Sequence, residues 1–244
     1  VLTGRSNNDM KTLPLTAILL TGCTAINSPT ATSTVAPAAE VPADFVDIAA
    51  LVPQAQVRMA YLGTENFVGS KVDGYQANKC YLQQNAAKAL VQVQQAAEAQ
   101  GYTLWIFDCY RPQRAVNHFM RWAADLNDTR TKAQYYPNLG KDKLVGEYIA
   151  EKSGHSRGST IDLTLAAKDN SGNWRPIDMG SPFDMFDPIS NVGAPGISAA
   201  QQANRQLLEN LMHNAGFKVY SMEWWHFTHQ PPVYTEQYFD FVVK

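Results

Sequence analysis

The chain has 244 residues, 45% of them apolar and 17% charged, with a formal net charge of −2. This is the composition of a globular protein with a sizeable core, and it gives no basic surface for nucleic acid or for acidic lipid. No stretch approaches the roughly 20 apolar residues that span a bilayer, and the length suits one domain with extensions.

Residues 1–23 read as a leader. A polar segment precedes Met10, the natural start, and Lys11, the apolar run Leu13 to Leu20 and Leu20-Thr21-Gly22-Cys23 follow in the layout of an export signal. The last four residues are similar to a bacterial lipobox, in which Cys23 is diacylated and becomes the mature N-terminus. Residues 24–45, rich in Ala, Ser, Thr and Pro, bury too little apolar area to offset chain entropy and are expected to form a tether. The expected location is the periplasm or cell envelope, with the membrane reached only through that lipid. Cys80 and Cys109 have two open readings: a disulfide in an oxidising compartment, or two buried free thiols.

The folded part is expected over 46–244. Asn85 to Gln100 predicts a helix with Asn85 as its cap, Leu90, Val91, Val93 and Ala97 on one face, and Gly101 as its stop. Thr103 to Cys109 reads as a mostly buried strand. It ends at Arg111-Pro112, where the residue before Pro is pushed to extended geometry and Pro suits a first helical turn. The following helix carries Val116, Phe119, Met120 and Ala123 on one side. Ser159 to Leu165 alternates: Ile161, Leu163 and Leu165 face the core, and Thr160, Asp162 and Thr164 face away. Asn204 to Ala215 predicts a third helix with Leu207, Leu208, Leu211 and Met212 inward. Lys218 to Phe227 predicts one strand and Phe239 to Val243 a closing one. Some strands are consecutive and helices do not alternate regularly with them, so the fold class is α+β, a single domain with a central, mainly antiparallel sheet.

The chemistry concentrates in two segments, Ser153 to Asp162 and Glu223 to His226. Together they supply two imidazoles, a carboxylate to hold a metal and a second carboxylate beside it. Three protein ligands with an open fourth position is the pattern of a catalytic zinc, whereas a structural zinc is usually closed by four. His155 precedes the turn Ser156-Arg157-Gly158, so its ring can project from a loop, and Asp162 lies on the outward face of the adjoining strand. Glu223 and His226 would point to opposite faces of an ideal strand, so they share a site only if the strand twists, bulges or ends there. Trp224 and Trp225 suggest a low-dielectric neighbourhood that raises a carboxylate pKa towards the range of a general base. Arg111 either stabilises an oxyanion or forms a salt bridge with Asp108. The leading expectation is metal-assisted hydrolysis.

Ser153 through Leu165, Asp108-Cys109-Tyr110-Arg111-Pro112, Val72-Asp73-Gly74-Tyr75 and Glu223 through Phe227 resemble the VanX-type D-alanyl-D-alanine dipeptidases, part of a zinc peptidase group that also includes D-Ala-D-Ala carboxypeptidases and Hedgehog-like domains. The resemblance runs from about Val46 to Lys244. It implies one zinc bound by His155, Asp162 and His226, Glu223 as general base and Arg111 as transition-state stabiliser. It also implies Tyr61, Ser153 and Asp184 as substrate contacts, the last beside the substrate ammonium. The sequence departs at Gly154, where a second Ser is common. The implied function is zinc-dependent hydrolysis of D-Ala-D-Ala to D-alanine, and the expected exported location adds a role in scavenging cell-wall dipeptide. The alternatives are a D,D- or L,D-carboxypeptidase acting on peptidoglycan peptides, and a non-catalytic metal-containing binding module.

Overall fold

In the computed structural model the described residues are 40–244; the expected leader, Cys23 and most of the tether lie outside them. The packing starts slightly before the expected boundary, because Phe45 sits in the core and Tyr234 OH donates to Asp44 at 2.7 Å. The strands are β1 (Phe45–Asp47), β2 (Gln56–Val57), β3 (Tyr81–Gln83), β4 (Thr103–Asp108), β5 (Thr160–Lys168), β6 (Trp174–Pro176), β7 (Phe217–Tyr220) and β8 (Glu223–His229). The helices are α1 (Gln84–Glu98), α2 (Gln113–Ala124), α3 (Lys132–Tyr135) and α4 (Ala199–Asn214). The main sheet runs β2-β4-β5-β8-β7, with β6 pairing the end of β5, and β1 pairs β3 separately. Only β2–β4 is parallel within the main sheet, so the α+β class with a mainly antiparallel sheet holds.

α1 begins one residue earlier than expected, because Gln83 rather than Asn85 caps it: the Gln83 side chain accepts from Asn85 N–H at 2.9 Å. α4 begins five residues before Asn204. Its start is a capping box, in which Ser198 Oγ accepts from Gln201 N–H and the Gln201 side chain accepts from Ser198 N–H. Polar Gln201 and Gln202 hid that turn from a hydrophobic-period reading. α1 and α4 contact each other, with α1 against β4 and α4 against β7, and close one face of the sheet over Leu104, Ile106, Ile161, Leu163 and Leu165.

Thr160, Asp162 and Thr164, on the face opposite Ile161, Leu163 and Leu165, are themselves buried. Two expectations are corrected. Lys218 to Phe227 is a β7–β8 hairpin that turns at Ser221-Met222, not one strand. Phe239 to Val243 forms no strand; it packs through single contacts, such as Phe239 N–H to Ser156 O at 2.8 Å, and one bridge between Tyr75 and Val243.

Gly158 terminates the short helical turn that carries His155. It has φ +83, and an added Cβ would collide with the Phe45 ring. Gly158→Ala is expected to destabilise the fold by about 1–3 kcal/mol through overpacking and left-handed strain, read as a lower urea midpoint at unchanged slope.

Candidate metal centre and active site

One cross-strand row builds the site. Asp108 at the end of β4 pairs with Asp162 on β5, and Asp162 pairs with His226 on β8. Directly opposed residues on one face of a sheet bring their side chains together, so Asp162 and His226 meet by register. His155 arrives from the turn Gly154–Arg157 just before β5; Ser153 caps that turn, its Oγ accepting from His155 N–H at 3.2 Å.

Glu223 reaches the same side by an irregular hairpin. Val219 opposes Phe227, but the next pair is Tyr220 with Glu223, so β8 carries extra residues at that point. The strand therefore bulges where an ideal one would have separated Glu223 from His226. Glu223 Oε2 lies 3.4 Å from His226 Nδ1.

His155 Nε2, His226 Nδ1 and Asp162 Oδ1 form a nearly equilateral triangle with edges of 3.3, 3.2 and 3.2 Å. Asp162 Oδ1 is buried and takes part in no well-formed hydrogen bond. Three corners of a tetrahedron around zinc, with bonds of about 2.0–2.1 Å, are about 3.3–3.4 Å apart. The donor set and its spacing therefore fit a divalent cation such as zinc. His155 Nδ1 donates to Cys109 O at 2.7 Å, which leaves the Nε2 lone pair facing the cluster. Burial and the nearby Arg111 charge push the His155 pKa down, favouring the neutral imidazole that ligates metals.

Arg111 forms the expected salt bridge with Asp108 and also reaches a metal-ligand candidate. Its Nε donates to Asp108 Oδ2 at 2.9 Å and its Nη2 reaches Asp162 Oδ2 at 3.3 Å. Its guanidinium carbon is 5.1 Å from the ring centres of both Tyr61 and Phe119. Asp108 is fully buried and also accepts from Tyr75 OH at 2.6 Å. The sequence offers Asp108 only as a salt-bridge partner of Arg111 and gives Tyr75 no role; an acid closing an otherwise apolar strand is the signal of a further support.

A cavity of about 270 Å³ opens onto this cluster and is lined by Tyr61, Arg111, Ser153, Asp184, Glu223 and Trp225, among others. Residues 146–150 with Lys152 and Ser153 form one of its walls. Tyr61 OH donates to Asp184 Oδ1 at 3.0 Å, while Asp184 Oδ2 is buried without a partner. Asp184 has φ 63, a left-handed conformation uncommon outside glycine. Burial, then the charge of Asp162, pushes its carboxyl well above the usual range. The Glu223 pKa is pushed up to about 8 by burial and by Asp162, partly opposed by Arg111. Both Trp224 and Trp225 are buried. At Gly154 a side chain would meet Thr160 Oγ1 at 2.9 Å, so glycine suits the threonine beside it.

The structure thus brings together His155, Asp162, His226, Glu223, Arg111, Tyr61, Ser153 and Asp184, and it joins Cys80 to Cys109 as a disulfide with Cα atoms 5.3 Å apart. Cys23 lies outside the described residues.

A peptidase M15 family model, described as D-Ala-D-Ala dipeptidase, matches residues 42–244. A D-alanyl-D-alanine dipeptidase of Enterococcus faecium is 44% identical over 185 residues, covering 75% of this chain and 90% of that protein. One from Streptomyces coelicolor is 40% identical over 201 residues, covering 82% and 98%. One from Escherichia coli is 36% identical over 184 residues, covering 75% and 83%.

Proposed function

We propose, because this chain belongs to the peptidase M15 family of D-Ala-D-Ala dipeptidases and is a metallopeptidase, that it hydrolyses D-Ala-D-Ala to D-alanine using one zinc held by His155, Asp162 and His226. The observation that carries this reading is the three-atom triangle with a second carboxylate, Glu223, at its edge and a small cavity in front. When bound, zinc supplies Lewis acidity, making water acidic enough to attack near neutral pH and polarising the scissile carbonyl.

Glu223 would take the proton of the attacking water at Oε2 and hand it to the leaving amine. Its pKa of about 8 applies without the cation; a divalent charge beside it draws that value down towards a working base. Arg111 would hold the developing negative charge on the carbonyl oxygen. Burial against Asp108 and beside two rings keeps its guanidinium in one place, which spares reorganisation during reaction.

The cavity supports a dipeptide over a longer chain. About 270 Å³ is just below the range of roughly 300–1,000 Å³ that holds drug-sized ligands. The unpartnered Asp184 oxygen gives the substrate ammonium a buried acceptor, which rewards an N-terminus placed there. A carboxypeptidase needs an open groove, and a binding module needs neither Glu223 nor Arg111. The test compares zinc-loaded protein on D-Ala-D-Ala, L-Ala-L-Ala and a tripeptide ending in D-Ala-D-Ala, read by amino acid release. Cleavage of the first alone is expected; faster cleavage of the tripeptide would replace this reading with the carboxypeptidase one. Asp184→Asn is expected to raise KM about 10–100-fold, the weight of a hydrogen bond to a charged group, with a smaller change in kcat.

The proposed location is the envelope, through Cys23 lipidation; the Cys80–Cys109 disulfide supports an oxidising compartment. A protein there cannot destroy cytosolic dipeptide, which favours scavenging of cell-wall fragments over resistance to glycopeptides. Recovery of unlipidated protein from the cytosol alone would remove that role.

A further inference from the structure

Beyond the Asp108–Asp162 pair, the last that β4 makes with β5, residues 109–111 leave the sheet. Isolated hydrogen bonds hold them. Tyr110 N–H donates to Tyr81 O at 2.9 Å, Arg111 N–H donates to His155 O at 3.4 Å, and Ser156 Oγ donates to Arg111 O at 2.8 Å. The covalent tie in this stretch is Cys109 to Cys80, both fully buried. Cys80 is itself anchored just before β3, its carbonyl accepting from Ile48 N–H at 2.9 Å.

Asp108 and two residues of this stretch support the metal cluster. Cys109 supplies the carbonyl that receives His155 Nδ1–H, Asp108 supplies the carboxylate that fixes Arg111, and Arg111 reaches Asp162. We propose that the Cys80–Cys109 disulfide positions the metal centre: by pinning Cys109 it holds the carbonyl that orients His155, and it thereby couples zinc affinity to the oxidation state of the cysteine pair. The inference rests on His155 being a zinc ligand.

Reduction takes two electrons and two protons. A dithiol supplies both and becomes a disulfide, while the Cys80–Cys109 bond opens to two thiols. The Cys109 carbonyl then loses its covalent restraint, and the Tyr110 N–H bond to Tyr81 O in the same peptide unit is left to hold it. Another acceptor within reach of His155 Nδ1–H is Asp108 Oδ2 at 3.7 Å, already engaged by Arg111. An imidazole turning towards Asp108 would both tilt Nε2 off the cluster and loosen Arg111. Such supporting partners typically change metal affinity 10–100-fold.

The experiment uses the full chain stripped of metal and titrated with zinc against a chromophoric chelator, in three forms: oxidised wild type, wild type reduced with a phosphine, and Cys80→Ser/Cys109→Ser. Cobalt(II) absorption and near-ultraviolet circular dichroism are recorded on each. Oxidised wild type is expected to bind one zinc. The reduced protein and the double variant are expected to bind it at least about tenfold more weakly, with shifted cobalt bands and retained tertiary dichroism. A disulfide that only stabilises the fold would lower the melting temperature yet leave zinc affinity within twofold and the cobalt spectrum unchanged; that result overturns the proposal. If the double variant does not fold, reduced wild type decides on the same two readouts. Failure of oxidised wild type to bind stoichiometric zinc overturns the ligand assignment itself, and this inference with it.

Discussion

Glu223→Gln is expected to lower kcat on D-Ala-D-Ala by about 10²–10⁴-fold, the usual weight of a positioned general base, with zinc content unchanged. The amide keeps the volume beside Trp225 but cannot accept the proton of the attacking water. A second readout comes from titration. The folded-state pKa of about 8 stands above the ordinary 4.5 of this side chain. Between those values the folded protein keeps a proton that the unfolded chain has released, so Glu223 makes stability fall as pH rises through that window. The metal-free Gln variant lacks this penalty and is expected to be more stable than metal-free wild type at pH 7, by up to roughly 3 kcal/mol. The gap should close towards pH 4. A Gln variant that keeps a tenth or more of wild-type kcat would remove Glu223 from the role of base.

Arg111→Lys is expected to lower kcat by about 10²–10³-fold, the loss seen when one oxyanion donor is removed. The charge survives the change, but the geometry does not. The planar guanidinium bridges Asp108 and Asp162 at 2.9 and 3.3 Å while packing against both the Tyr61 and Phe119 rings. A lysine ammonium is a single point and cannot span both carboxylates. Retaining the charge also avoids leaving Asp108 buried without any cation, which Arg111→Ala would do at a cost of about 3–5 kcal/mol. Steady-state kinetics on D-Ala-D-Ala separate two outcomes. A fall in kcat with KM nearly constant marks transition-state stabilisation, whereas a rise in KM alone would make Arg111 a ground-state binding residue.

How much of this was legible beforehand differs by residue. His155 and Asp162 could be read as ligand candidates because a turn and an alternating strand fix where their side chains point over a few residues. Glu223 and His226 could be read only conditionally, since strand periodicity set them on opposite faces and a bulge was required. α4 was found by its Leu207, Leu208, Leu211 and Met212 face, but its first turn was not, because a capping box is polar. The closing segment after Phe239 has the composition of a strand yet pairs only through single contacts, among them those with Ser156 and with residues 74–77.

Local sequence determined the helices, the central strand and the kinds of side chain available for chemistry, because those depend on spacing over one or two turns. Tertiary structure decided the rest. The register of β4, β5 and β8 set Asp108, Asp162 and His226 in one row, and the β7–β8 irregularity turned Glu223 towards them. Burial gave Asp108 to Arg111 and left an Asp184 oxygen unpaired in the cavity wall. The physical reason is that a ligand triangle with 3.2–3.3 Å edges is a relation between segments far apart along the chain. Only strand pairing and core packing bring such segments to bonding distance.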